Sequence, residues 1–199
     1  MSKIEVDAIE PQSGTTLTLG ASGDTVNIAS GATNNLGITE ADNWRLTVNK
    51  SDNSDITANL ERDDTSGFGY LGTGMTQSSG IFTFPSTGIW LITFNAMFLV
   101  TNENLSIAEI NTTINNSTYT IWYWCNIKQN RCCTTFIIVA STTGGSHYKS
   151  STTSILFDVT STSDCKVKFT ASNLNASCQL VGNSAFNTTN MLFIRLGDT

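Results

Sequence analysis

This chain of 199 residues has a single histidine, His147, and only ten lysines and arginines against sixteen acidic residues. With a formal charge of −6 and a pI near 4.6, it lacks the basic surface that recognition of a phosphate backbone requires, and no nucleic-acid partner is expected. No apolar run approaches the ~20 residues of a membrane helix. The longest, around Ile89 to Val100, is broken by Thr93 and Asn95, so no membrane insertion is expected. A charged-then-apolar leader is also missing, which predicts a protein made without a cleaved signal. Leu, Ala, Glu and Lys are sparse, and no window combines apolar three-and-four spacing with caps, which predicts little or no helix. The five cysteines, Cys125, Cys132, Cys133, Cys165 and Cys178, show no C-x-x-C pairing, and one histidine cannot complete a zinc site. Their odd count fits reduced thiols in a protein assembled in a cytoplasm. No metal or cofactor is expected.

What the chain does have is 22 Ser, 31 Thr and 20 Asn. Thr favours strands, and Ser and Asn favour turns. From Gly37 onward the pattern predicts strands at Trp44 to Asn49, Ile56 to Glu61, Gly80 to Phe84, Ile89 to Thr101 and Leu105 to Ile114. Further strands are predicted at Tyr119 to Lys128, Cys133 to Ala140, Thr152 to Val159, Cys165 to Ala171 and Met191 to Leu196. Short strands separated by turns indicate an all-β antiparallel sandwich or jelly roll. The clearest is Ile89 to Thr101. Trp90, Ile92, Phe94, Ala96, Phe98 and Val100 fall on one face, and Ile89, Leu91, Thr93, Asn95, Met97 and Leu99 on the other. The first face, with Phe82, is the expected head core. The mixed second face is expected to be partly buried against another surface, such as a neighbouring subunit.

Residues 1 to 36 read differently from the head at 37 to 199. Thr16-Leu17-Thr18-Leu19 followed by Ala21-Ser22-Gly23 is echoed by Thr25-Val26-Asn27-Ile28 followed by Ala29-Ser30-Gly31. Two short alternating strands, each closed by a Ser-Gly turn, make a small internal repeat. Burying Leu17, Leu19, Val26 and Ile28 returns far less than ordering the backbone costs, so one copy alone cannot hold such a shape. Three copies wound together share apolar faces and ladder hydrogen bonds, which predicts a fibrous β-shaft. A flexible linker is the plainer reading of the same composition.

Two resemblances attach to these residues. In GIFTFPSTGIWLITFNAMF, Phe82, Gly88, Trp90 and Phe94 follow the core motif of the complement component 1q and tumour-necrosis-factor superfamily. That resemblance implies a trimeric jelly-roll head. Upstream the chain departs from the motif, with Tyr70 at a place for Asn or Asp and Met75 at one for a large aromatic or Leu. The N-terminal SKIEVDAIEPQSGTTLTLG and GDTVNIASGAT resemble segments that open bacteriophage tail-fibre and virion-fibre proteins. ITEADNWRLTVN, TSGFGYLGTGMTQSSGIFTFPSTGIWLITF and FIRLGDT resemble heads found in phages of marine bacteria. They imply a homotrimer at the virion surface, assembled in the host cytoplasm. In it Ile4, Val6 and Ile9 dock on tail or capsid proteins, the repeat forms a shaft, and the head meets a host glycan or protein.

Catalysis finds little support. His147 has no nucleophile or acid partner at a diagnostic spacing. The carboxylate pairs Asp52/Asp55 and Asp63/Asp64 keep a glycan-depolymerising enzyme as a third reading, behind a fibre head and a capsid decoration protein without a receptor. Ser51 to Asp55 offers oxygen ligands but not the spacing of a calcium loop. Trp122-Tyr123-Trp124 serves either packing or sugar stacking. Receptor contact is expected in loops at Thr101 to Asn104, Asn126 to Arg131, Thr142 to Ser151 and Ser172 to Asn190, with Asn104, Lys128, His147, Tyr148 and Asn183 as candidates.

Overall fold

The computed structural model describes residues 9–11, 13–15, 18, 20–25, 37–63, 65–101, 106–121, 124–126, 131–133 and 145–199. The chain divides into two compact units, Met1–Asn35 and Leu36–Thr199. In the first unit Ala21 to Asp24 forms a turn. The Asp24 N–H donates to the Ala21 carbonyl at 3.0 Å, and the Asp24 carboxylate accepts from the Ala21 N–H at 2.7 Å. The residues assigned to a shaft core, Leu17, Leu19, Val26 and Ile28, lie outside the described residues.

Among the described residues the second unit contains strands and turns and no helix. Its strands are β1 (Ala41–Leu46), β2 (Ser54–Asp55), β3 (Leu60–Arg62), β4 (Thr76–Ser78), β5 (Ile81–Thr83), β6 (Gly88–Thr101) and β7 (Ile107–Thr113). They continue as β8 (Thr120–Ile121), β9 (Trp124–Asn126), β10 (Arg131–Cys133), β11 (Ser146–Val159), β12 (Lys166–Ser172), β13 (Cys178–Leu180) and β14 (Asn190–Gly197). One six-stranded sheet runs β11-β6-β14-β1-β3 with β13 also paired to β6. A second runs β4-β5-β12-β7-β8 with β2 also paired to β12, and β9 pairs with β10 separately. The strand pairings are antiparallel. Strands distant in sequence lie side by side, as β14 does with β1 and β6 and β12 with β5, and the chain crosses between the two sheets from β5 to β6, β6 to β7 and β11 to β12, which is jelly-roll connectivity.

The long strand β6 explains the rest. Its residues alternate buried and half-buried along all fourteen positions, as a pleated strand does when one side meets a core and the other a second surface. It begins at Gly88, whose φ is +134°. A Cβ there would lie 2.4 Å from the Gly197 carbonyl oxygen, so only glycine lets β6 start against the end of β14. Phe82, Trp90, Ile92, Phe94 and Phe98 sit in the core, each at most 1% exposed. Phe82 meets Trp44, Phe169 and Phe193 with ring centroids 5.5, 5.6 and 5.1 Å apart, and Phe94 meets Phe169 at 5.1 Å. These contacts tie the two sheets together through edge-on and tilted aromatic pairs. Met75, at a motif position for a larger side chain, is fully buried as well.

Several expected boundaries shift. Of the strand placed at Ile56 to Glu61 only Leu60 and Glu61 are strand, in β3; β2 ends before it at Asp55, and a turn with Asn59 at φ +58° separates the two. Asparagine tolerates that left-handed conformation. Ile56 is buried between them, its N–H donating to the Phe169 carbonyl at 2.8 Å. The first strand starts at Ala41, ahead of Trp44. Of the span Tyr119 to Lys128, the described strands are only β8 and β9.

Candidate functional site

All four segments assigned to receptor loops include strand residues, and two of them hold strand well inside their bounds. Ser146 to Ser151, within the predicted loop Thr142 to Ser151, is the first half of β11, paired residue by residue with Thr101 to Ala96 of β6. His147 faces Val100 and Tyr148 faces Leu99 in that register. The Ser and Thr residues that read as loop are cross-strand partners here, as in the 2.7 Å bond between the Thr101 and Ser146 hydroxyls. Cys178 to Leu180, within the predicted loop Ser172 to Asn190, is β13, which pairs with Val100 to Phe98. Asn183 does lie in a loop, but its side chain builds that loop. Its carbonyl oxygen accepts from the Ala185 and Phe186 N–H groups at 2.7 and 3.1 Å. Asn104 and Lys128 lie outside the described residues, as do Ile4 and Val6; Ile9 is described and exposed. Trp122 and Tyr123 also lie outside them.

The surface that the strands do assemble is the outward face of the six-stranded sheet. Directly paired residues share a face, so the registers give its rows. Leu156, Leu91, Ile194 and Ala41 form one row, and Ser154, Thr93, Leu192 and Asn43 the next. Thr152, Asn95, Asn190 and Arg45 follow, and Tyr148, Leu99 and Gln179 lie toward the other end. The middle rows are closed by neutral hydrogen bonds. Asn95 donates to the Asn190 side-chain oxygen at 2.9 Å and accepts from the Thr152 hydroxyl at 2.7 Å, and the Thr93 and Ser154 hydroxyls lie 2.8 Å apart. From Ile89 to Leu99 on β6, and from Tyr148 to Leu156 on β11, no outward position is charged. Leu156 and Tyr148 are 67% and 65% exposed. The β6 half of this face was legible in the sequence. Leu156, Leu192 and Ile194 follow from the same alternation in Thr152 to Val159 and Met191 to Leu196, but that they adjoin Leu91 required the strand order.

Of the carboxylates that suggested catalysis, the three that are described, Asp52, Asp55 and Asp63, are each engaged by a cation. The Lys50 ammonium and Ser54 hydroxyl bond to Asp52, and these hydrogen bonds hold its carboxyl below the usual 3.8. Burial pushes Asp55 upward, but hydrogen bonds from Lys168 and Thr170, both 2.7 Å, outweigh it and leave the group below 3.8. Asp52 and Asp55 border a cleft of about 190 Å3 beside Lys50 and Ile56. A cation entering it would have to displace the Lys50 ammonium from Asp52 and Ser54. Asp63 is buried in an ion pair with Arg45 at 3.1 Å; Asp64 lies outside the described residues. Burial, then the nearby Asp55 carboxylate, raises the Tyr119 phenol above its ordinary 10.0, and the Lys168 ammonium sits 4.4 Å from that ring's centre. Among the described residues no three His, Cys, Asp or Glu side chains converge as a metal site. Cys165 and Cys178 are buried, with the Ser106 hydroxyl 2.6 Å from the Cys178 sulfur. Among the described residues the arrangement offers surfaces for contact.

No protein-family model and no curated protein matches the chain. Solved structures do. Murine APRIL, crystallised at pH 8.5, superposes with a TM-score of 0.51 at 14% identity, covering 79% of this chain and 98% of its own. Eiger TNF from S. frugiperda superposes with a TM-score of 0.56 at 11% identity, covering 82% of this chain and 95% of its own. At such identities the likeness is one of fold, a tumour-necrosis-factor-like jelly roll, and it says nothing of what this chain binds.

Proposed function

We propose that the chain is a bacteriophage virion structural protein, a homotrimer whose residues 1 to 36 attach it to the particle and whose jelly-roll head contacts the host surface. The observation behind the self-association is the outward face of the six-stranded sheet. It is uncharged over most of its area on a chain of net charge −6 and carries exposed Leu156 and Tyr148. Surfaces depleted of charge and rich in large apolar side chains are those that another protein covers. The trimer and the phage assignment follow from the resemblances of the head motif and the N-terminal segment. Adhesion then works by repetition: three heads per fibre and many fibres per particle turn weak single contacts into strong avidity, without catalysis. Capsid decoration without a receptor is the second reading, favoured by the use of Asn183 and the β11 serines for structure instead of display.

Sedimentation equilibrium tests the assembly, with three times the 21.4 kDa chain mass expected. A folded monomer at micromolar concentration overturns it. Adding purified head to phage and host cells tests the role. The fibre reading expects slower adsorption, and unchanged adsorption favours decoration. Deleting residues 1 to 36 is expected to abolish incorporation into particles and to leave a folded head, because the core cluster among the described residues is drawn from the head alone.

A further inference from the structure

The separate hairpin of β9 and β10 carries three of the five cysteines, and its register sets two of them directly opposite each other. Arg131 pairs with Asn126, Cys132 with Cys125 and Cys133 with Trp124. Directly paired residues of an antiparallel ladder have Cα atoms about 4.5 or 5.5 Å apart, according to whether they exchange hydrogen bonds. A disulfide spans Cα separations of about 4.4 to 6.8 Å, so both kinds of pair fall within its range. The backbone excludes Cys133 from the same bond. Successive strand residues alternate faces, which places Cys133 on the face of the ladder opposite to that of Cys125 and Cys132. Adjacent Cα atoms are about 3.8 Å apart, too close for a bond between Cys132 and Cys133 in a regular strand. Cys165 and Cys178 are fully buried in the core of the head, away from a dissolved oxidant.

The hairpin gains from a tie at this pair. Among the described residues β9 and β10 pair only with each other, over three residue pairs. A two-stranded ribbon that joins no larger sheet is marginal in water. A bond across its middle pair closes a short loop of chain and removes open conformations from the competing ensemble. Six residues separate Cys125 from Cys132 in the sequence, a spacing that signals no disulfide framework by itself. The register supplies what the spacing does not. Reduced thiols remain the state of such a pair in a cytoplasm, and an external oxidant is what changes it.

We propose that Cys125 and Cys132 are a redox-active pair, which closes to a cross-strand disulfide when the protein meets an external disulfide such as glutathione disulfide. One cysteine thiolate attacks a sulfur of glutathione disulfide, breaking its S–S bond and releasing one glutathione. The other cysteine thiolate then attacks the protein sulfur of the mixed disulfide and releases the second glutathione. Two protein thiols are oxidised, one external disulfide is reduced to two thiols, and the two cysteine protons end on the two glutathiones. The test equilibrates the folded full chain with glutathione disulfide, blocks the remaining thiols with iodoacetamide in denaturant, and identifies tryptic peptides by mass spectrometry. Trypsin cleaves after Lys128 and Arg131, so residues 63 to 128, whose sole cysteine is Cys125, part from residues 132 to 149 unless a disulfide joins them. The unmodified chain and Cys133→Ser are expected to give the joined peptides, and Cys132→Ser to give about ten times less of them or lower. On non-reducing electrophoresis the linked chain is expected at the position of a single chain. Cysteines 125 and 132 that stay fully alkylated, or carry only glutathione, overturn the proposal. Joined peptides undiminished in Cys132→Ser overturn the pairing, and a covalent dimer overturns it by showing a bond between chains. Should Cys132→Ser fail to fold, judged by thermal unfolding, fragmentation of the joined peptides from the unmodified chain assigns the bond to Cys132, as expected, or to Cys133, which overturns the pairing.

Discussion

Leu91 and Lys168 occupy comparable places, each pointing outward from an interior strand of its own sheet, and their surroundings are opposite in kind. Around Lys168, on β12, the outward positions include Lys166, Thr170, Asn111 and Glu109, and the polar groups satisfy one another. Lys168 and Thr170 both bond to Asp55, Asn111 donates to Thr170 at 3.0 Å, and Lys166 donates to the Thr162 carbonyl at 2.6 Å. Around Leu91 the neighbours are Leu156, Ile194 and Ile89, and charge appears only at the margins, as Asp158 and the Arg45–Glu61 pair. The inward faces do not differ in this way, since both contribute aromatics to one core. Burial alone therefore identifies a sandwich, while the outward residues separate a sheet closed by charged and polar hydrogen bonds from one closed by neutral and apolar contacts.

The largest effect should come from the interior that the two faces share. Phe94→Ala is expected to cost about 3 to 5 kcal/mol in denaturant unfolding, because a fully buried ring in contact with Phe169 is lost. Parent-like stability would remove the common core from which the comparison starts. Arg45→Ala probes the exceptional charge of the apolar-facing sheet. Arg45 and Asp63 are each 3% exposed, and removing the guanidinium leaves a buried carboxylate unpaired, a loss of about 3 to 5 kcal/mol. If stability holds, that ion pair is not what fixes this edge. Charge placed outward should then separate the sheets. Leu91→Asp is expected to weaken self-association by about 2 kcal/mol or more, as at the centre of an interface, while Thr170→Asp leaves it unchanged. Equal responses in sedimentation would dissolve the contrast.

The smallest effect is pH-dependent. Because the Asp55 carboxyl is held below 3.8 in the folded protein, its stabilisation is present above the unfolded value of about 3.8 and is lost as pH falls through the lower folded one. The pair is partly exposed, so no more than about 1 kcal/mol is at stake. Unfolding of the parent and of Lys168→Met should differ at neutral pH and converge in acid. A difference that persists at the lowest pH would assign Lys168 to packing on Tyr119 instead.

Alternation of residue type was enough to locate β6 to within a residue and to sort its faces, since an apolar-polar period of two has one structural meaning over that length. It was not enough for the first half of β11. There Ser, Lys and Thr carry no apolar alternation, and the strand exists because β6 is long enough to template it. Nor could it reveal β13, whose three residues are held as a strand by pairing with β6. The loop at 65 to 74 read only as a glycine-rich stretch between strands. Its orientation depends on a backbone bridge between positions 41 and 71, and no local pattern encodes a contact at that separation.

The amino-acid sequence by itself thus determined the all-β class, the aromatic core around Phe82, Trp90 and Phe94, and the two unlike faces of β6. Those properties follow from side-chain chemistry repeated at the period of one extended strand. Only the tertiary structure decided which strands lie beside β6, that Leu156, Leu91, Ile194 and Leu71 make one row, and that the acidic residues answer to Lys50, Lys168 and Arg45. Adjacency between strands is set by how two sheets close over a shared core, and that closure is a property of the whole chain.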